Sequence, residues 1–211
     1  MLTKHPLHWN LVTVASLFLV LTSALILSNG LDEACIFLAL RVSSLTTALP
    51  FFLVFAMQPL QRLGLTREMG LWAQQYARDL WVIAAVSHLI HLAQIGLYYT
   101  LGRSCSAISW ALTAPMWLIL VWFAGLAIVQ PSWFNSICAD DSAAEYVAEK
   151  APLTRARLYQ LGSWYVWLIF VGAFVGGAAA QHLLFYNLPA AILFIAAAIL
   201  RVLPRRIVPA H

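Results

Sequence analysis

Two histidines in an apolar segment are the residues of this chain with the clearest chemical potential. His88 and His91 lie three positions apart in a long hydrophobic run. An ionisable side chain in a membrane-spanning helix is energetically costly, so it usually faces a cavity, a cofactor or a partner. Ser87, His91, Gln94 and Tyr98 are spaced by four, three and four positions, which places them on one helical face. The spacing predicts a polar stripe, with His88 one position round from it, that faces the interior of a helix bundle.

The composition indicates the environment of these histidines. The chain is 63% hydrophobic and 9% charged, whereas a soluble domain has about 25% charged residues. A water-soluble fold of 211 residues does not bury that much apolar surface, so we expect a multi-pass protein whose surroundings are the lipid bilayer. The net charge of +4 does not indicate a nucleic-acid partner, because the basic residues are scattered through short segments between apolar runs.

Six segments are long enough to cross a bilayer core of about 30 Å, which takes about 20 helical residues. We expect these spans near residues 9–29, 36–60, 80–101, 108–129, 155–180 and 183–203. The connections between them leave no room for a soluble domain. The sequence therefore predicts a single domain over residues 1–211, an all-α membrane protein folded as a six-transmembrane-helix bundle.

The distribution of Lys and Arg predicts the orientation of the bundle. Nearly all of them fall in the two terminal segments and in the connections 61–79 and 130–157, whereas the opposite side has only Arg103. Basic residues accumulate on the cytoplasmic side, so we expect both termini in the cytoplasm. Cys35 and Cys105 then share the opposite side, where an oxidising compartment permits a disulfide between them.

Two further features inside the spans have alternative interpretations. Arg41 lies about six residues into the second span, where it either extends back to the interface or neutralises an anionic group, such as a cofactor carboxylate. Gly172 and Gly176 form a small-xxx-small motif, which indicates either close helix packing or clearance for a cofactor.

Three segments carry a pattern shared with a known family. They are Leu40–Leu45 with Pro50–Leu60, then Arg78–Leu92 with its Ser-His-Leu-Ile-His-Leu motif, and finally Leu158–Phe170. They resemble the second, third and fifth spans of the ferric-reductase-like transmembrane domain family, and the similarity extends over roughly residues 36–175. The resemblance implies a divergent member of this family in the inner membrane of a bacterium. It also implies an integral membrane protein that carries b-type haem for electron transfer.

The same resemblance implies which residues would hold the haem. His88 is the expected axial ligand, with His91 and Arg41 as further cofactor-binding residues. The family's fifth-span motif usually reads Leu-His-x-Leu-Gly, whereas this chain has Tyr159 in place of the histidine. Tyrosinate ligates iron in catalase, so Tyr159 is a candidate second axial ligand. A second histidine pair is missing from the pattern, so at most one haem is expected. The site is five-coordinate at His88, uses an unusual ligand set, or has lost haem.

Three hypotheses about function follow. The first is an electron-transfer haem protein, a membrane oxidoreductase subunit that receives electrons from quinol or a redox protein, since the sequence has no Gly-rich nucleotide or flavin loop. The second is a haem-free member of the same fold that acts as a membrane partner or assembly subunit. The third is a proton or small-molecule channel or transporter that uses the His88 and His91 stripe. Against the third, the predicted spans contain no Asp or Glu, whereas proton relays commonly combine acids with histidine.

Overall fold

The computed structural model describes residues 7–62, 67–131, 155–180 and 184–202. Within these ranges every regular element is an α-helix. The helices are α1 (Trp9–Leu27), α2 (Glu33–Arg62), α3 (Arg67–Thr100), α4 (Ala107–Val129), α5 (Arg155–Ala179) and α6 (Leu184–Val202). All six are long and apolar enough to cross a membrane. The predicted number of spans is confirmed by length and composition.

The third helix begins earlier than the sequence predicts. We expected a connection over residues 61–79, but α3 already begins at Arg67. The segment is polar yet rich in residues with high helix propensity, such as Glu, Met, Leu, Ala and Gln, so the helix continues outside the apolar run. The third candidate span starts at Gln75 and includes Asp79. The second starts at Glu33. The expectation that no span contains an acidic residue is therefore wrong.

The turn between α3 and α4 agrees with the predicted boundary. α3 ends at Thr100, and Gly102 takes a φ of +71°, a left-handed conformation that glycine adopts without a steric penalty. α4 then begins behind Ser106, whose Oγ accepts a hydrogen bond of 3.1 Å from the Ser109 backbone N–H. This side-chain cap satisfies one of the free N–H groups at the start of the helix.

The centre of the bundle is packed with aromatic rings. Phe51 of α2 packs against Trp81 of α3 and Phe170 of α5, with ring centroids 5.6 Å apart in both pairs. Trp81 also contacts Phe123 of α4, at 5.0 Å. All four side chains are buried, and such pairs contribute about 0.5–1.5 kcal/mol each beyond their buried area. Because four helices meet at these rings, the rings set how the helices lie against one another.

Gly162 allows a close contact between two helices, whereas the glycine contact predicted from the small-xxx-small motif is not made. A Cβ on Gly162 of α5 would lie 2.8 Å from Cζ of Phe123, so α4 and α5 pack closely there. By contrast, a Cβ on Gly172 or Gly176 would meet no atom within 4 Å. Both are exposed. The small-xxx-small motif therefore does not bring two helices of this bundle together, since it lies on an outward face of α5.

Polar contacts hold the two ends of the bundle. At one, the Asp79 end, the buried Asp79 carboxylate accepts a hydrogen bond of 2.8 Å from the His8 backbone N–H. Its other oxygen lies 3.0 Å from His8 Nδ1. At the opposite end, the Gly102 end, Arg103 Nη2 lies 3.0 Å from Glu33 Oε2. That pair is exposed to solvent, so it contributes little to stability.

The two cysteines at the Gly102 end are not bonded to each other. Cys35 and Cys105 are both free thiols. Cys35 lies beside the Asp32 carboxylate at the start of α2, whereas Cys105 lies at a cavity next to Trp110. The expected disulfide is therefore not formed in the structure.

Candidate functional site

A cavity of about 320 Å³ lies between α2, α3, α4, α5 and α6 in the half of the bundle towards the Gly102 end. Small-molecule sites typically enclose 300–1,000 Å³. The cavity is open at Arg41, Ser109 and Ala173, which line it and are exposed. We call this opening the mouth of the cavity. A ligand can extend through the mouth, so it can be larger than the enclosed volume. Tryptophan, phenylalanine and isoleucine side chains form most of the apolar wall.

His88 lines the cavity and has no polar partner. Its side chain is 7% exposed, and its ring packs on His91 at 5.5 Å and against the Trp117 ring at 5.3 Å. Among the buried side-chain nitrogens and oxygens that the structure describes, only Nδ1 and Nε2 of His88 lack a hydrogen bond. Each such unpaired group costs about 1–3 kcal/mol. A ligand in the cavity can bond to one of these two nitrogens, which makes His88 the main candidate residue of the site.

His91 also lines the cavity, but a chain of hydrogen bonds holds its ring. Its Nδ1 lies 2.7 Å from Ser43 Oγ, and Ser43 donates to Gln94 Oε1 at 2.6 Å or to the Leu40 carbonyl at 3.0 Å. Gln94 Nε2 donates to Ser23 Oγ at 3.0 Å. Because the single hydroxyl hydrogen of Ser43 is directed to one of these two acceptors, His91 Nδ1 is the donor in its bond with Ser43. The chain joins α1, α2 and α3 and fixes the orientation of the His91 ring.

Arg41 lies at the mouth of the cavity. Its guanidinium carbon is 5.8 Å from the centroid of the Phe37 ring, and its side chain is exposed and lines the cavity. Within the described part of the chain no carboxylate forms an ion pair with it. Arg41 is therefore positioned to meet an anionic group of a ligand at the mouth, and it is not a deeply buried cation.

Tyr159 is not part of this cavity. It is 5% exposed and its hydroxyl accepts a hydrogen bond of 3.1 Å from Trp81 Nε1. Trp81 precedes His88 by seven residues, about 10 Å along α3. Tyr159 is absent from the residues that line the cavity. The structure therefore brings His88, His91 and Arg41 together at one cavity. It places Tyr159, the candidate second axial ligand of the sequence analysis, beside Trp81 instead.

The α4 contribution to the cavity was not predicted from sequence. Met116 and Trp117 line the cavity, and Trp117 contacts His88 directly. Both lie in a uniformly apolar run after Pro115, and their residue types are common in any buried helix. The rotation of α4 about its axis determines which of its side chains face the cavity, and no pattern in the sequence predicts that rotation.

Comparison with known proteins adds no relative. No family model, no curated protein and no solved structure matches this chain. The resemblance to the ferric-reductase-like family therefore depends on the quoted motifs alone.

Proposed function

We propose that this chain is an integral membrane b-type haem protein that transfers electrons, with at most one haem, in the inner membrane of a bacterium. The observation that supports the proposal most strongly is the His88 ring, which is buried at a cavity with both nitrogens unpaired. A histidine nitrogen holds the haem iron in globins and peroxidases. A buried nitrogen without a hydrogen bond is energetically unfavourable, and a haem iron would bond to one of the two.

The cavity has the donor groups that a haem requires. His88 would ligate the iron, and Arg41 at the mouth would pair with a carboxylate of the macrocycle. The rings of Trp117, Phe170 and Phe174 supply apolar contacts for the macrocycle. A bound b-type haem supplies a one-electron redox centre. The residues of the chain would bind and orient it. Apolar surroundings have a low dielectric constant, which strengthens the effect of nearby charges on the iron.

His91 has a positioning role in this proposal. Its Nδ1 is held by Ser43, and its ring packs on His88 at a centroid distance of 5.5 Å. A ring held on both sides restricts the rotamers available to His88. The electron donor in this proposal is quinol or a redox protein, and the chain serves as the membrane subunit of an oxidoreductase.

The visible spectrum of the protein purified in detergent tests the proposal. Expression with ample haem should give a Soret band that His88→Ala abolishes, because the variant removes the nitrogen ligand. Arg41→Ala should keep the band but lose haem faster during dilution or transfer to apomyoglobin. Tyr159→Phe is the matched control, since it removes only the hydroxyl bonded to Trp81, and its Soret band should match that of the wild type.

Two results would contradict the proposed site. If the wild type shows no Soret absorbance after expression with ample haem, electron transfer through haem is refuted and a haem-free subunit of the same fold takes its place. If Tyr159→His strengthens haem binding, then Tyr159 reaches the iron and the position of the site is wrong.

A further inference from the structure

The cavity that contains His88 also contains a thioether. Met116 of α4 is 3% exposed and lines the cavity together with His88. We propose that Met116 is the second axial ligand of the haem, so that the iron is held by a histidine and a methionine. This inference rests on the proposed function, because it assigns a ligand in the same site.

The depth of Met116 agrees with that of His88. The ring of Trp117, the next residue along α4, meets the His88 ring edge-on with centroids 5.3 Å apart. Consecutive residues of a helix differ in height by about 1.5 Å, so Met116 lies near the height of His88. A pair of axial ligands must share one level in the bundle, and α3 and α4 provide it here.

Other possible ligands at the cavity are nearer to the Gly102 end or are already bonded. Cys105 comes before the first residue of α4, and Met116 lies nine residues after that first residue, about 14 Å along the helix. The Tyr186 hydroxyl lies 3.3 Å from Ser44 Oγ. Because His91 Nδ1 donates to Ser43, the lone pair of this ring is on Nε2. However, His91 lies on the same helix as His88, one turn nearer to the Gly102 end, and its ring is stacked on the His88 ring at 5.5 Å. None of these groups therefore faces His88 from another helix at the same depth with a free ligand atom.

Tyr159, which occupies the ligand position of the family motif, is excluded by its depth in the bundle. Its hydroxyl accepts from Trp81, about two turns of α3 from His88. Ligation by Tyr159 would also require a tyrosinate, and a charged oxygen in an apolar wall is costly to desolvate.

A thioether suits this wall for chemical reasons. It is neutral, so burying it costs no charge desolvation, and it is a soft ligand. Methionine paired with histidine raises the reduction potential of haem iron, as in cytochromes c. The proposed site would therefore hold an iron that is more readily reduced than one with two histidine ligands. An electron acceptor of this kind is matched to a mild donor such as quinol.

The spectrum of the ferric protein tests the ligand directly. Wild-type protein should show the near-infrared charge-transfer band of iron–thioether coordination. Met116→Leu, which nearly conserves volume, should keep the Soret band, lose the near-infrared band and lower the midpoint potential. It should also let the ferrous iron bind carbon monoxide faster, because one axial position is open. Met116→His should restore a six-coordinate spectrum with a lower midpoint potential than the wild type.

The control variant is Leu118→Ile, which changes an exposed side chain of the same helix that does not line the cavity and should leave all these readouts unchanged. A Soret band whose near-infrared region and potential are unaffected by Met116→Leu refutes methionine ligation and leaves the haem proposal standing. Loss of the near-infrared band in Cys105→Ser instead of Met116→Leu also refutes it. Absence of any Soret band in the wild type refutes the proposed function, and methionine ligation with it.

Discussion

The contact between Gly162 and Phe123 allows a quantitative prediction. In Gly162→Ala the new Cβ would lie 2.8 Å from Phe123 Cζ and 3.2 Å from Ile119 Cγ2. Phe123 is 0% exposed, and its ring is bounded by Trp81 at 5.0 Å and Tyr159 at 5.1 Å. The ring has no free space into which it can move, so the substitution overpacks the core.

The magnitude follows from two opposing effects. Replacing glycine by alanine inside a helix favours the folded state by about 1 kcal/mol, whereas overpacking a core costs about 1–3 kcal/mol. Gly172→Ala on the same helix is the matched control, because its Cβ meets nothing within 4 Å. Both variants gain the same helix propensity, which cancels in the comparison. We therefore expect Gly162→Ala to be less stable than Gly172→Ala by about 1–3 kcal/mol.

Reversible unfolding in mixed detergent micelles, followed by circular dichroism, measures this difference in free energy. The double variant Gly162→Ala with Phe123→Leu should recover part of the loss, since leucine lacks the ring atoms that the new methyl meets. A double-mutant cycle isolates that coupling. If Gly162→Ala and Gly172→Ala have equal stability, the close approach of α4 and α5 at Gly162 is refuted.

The remaining predictions concern the two ends of the bundle. Reporter fusions after Pro131 should indicate the cytoplasm and fusions after Gly102 the opposite side, and a reversed pattern would contradict the orientation. Cys35 and Cys105 should both be alkylated without reductant, as free thiols require, whereas a mass shift only after reduction would show a disulfide. The hydrogen bond from the Cys35 backbone N–H holds the pKa of Asp32 below its ordinary value of 3.8. This hydrogen bond therefore stabilises the fold above pH 3.8, and the stabilisation is lost as the pH falls through the lowered pKa. Acid titration of unfolding should show this loss in the wild type and not in Asp32→Asn.

Some of this architecture follows from sequence and some does not. Apolar length alone predicts six spans. The spacing of Ser87, His91 and Gln94 correctly predicts that they share polar contacts inside the bundle, where Ser87 and Gln94 are buried and His91 is half-buried, because helical periodicity is a local property. The relative height and rotation of different helices are not local. They are set by contacts such as the one between Gly162 and Phe123, which no periodicity contains.

The candidate site shows the same division. The position of His88 within its own helix could be predicted, and so could its association with His91. Its partner from another helix could not, since motif alignment suggested Tyr159 of α5 whereas the structure places Met116 and Trp117 of α4 beside it. A matched motif fixes a residue's position along the chain, but the depth of that residue depends on how two helices pack.

The contact between His8 and Asp79 has a consequence for how the chain is made. The two residues are separated by 71 positions, so the N-terminal partner leaves the ribosome well before the carboxylate. His8 is therefore already available to donate hydrogen bonds when the Asp79 carboxylate is buried. A version of the protein that begins at Trp9 would lack the two hydrogen bonds that His8 donates to this buried carboxylate, and a buried group left without its hydrogen bonds costs about 1–3 kcal/mol. Expression of such a shortened form should yield a product that the cell degrades, whereas additions in front of His8 preserve the pair.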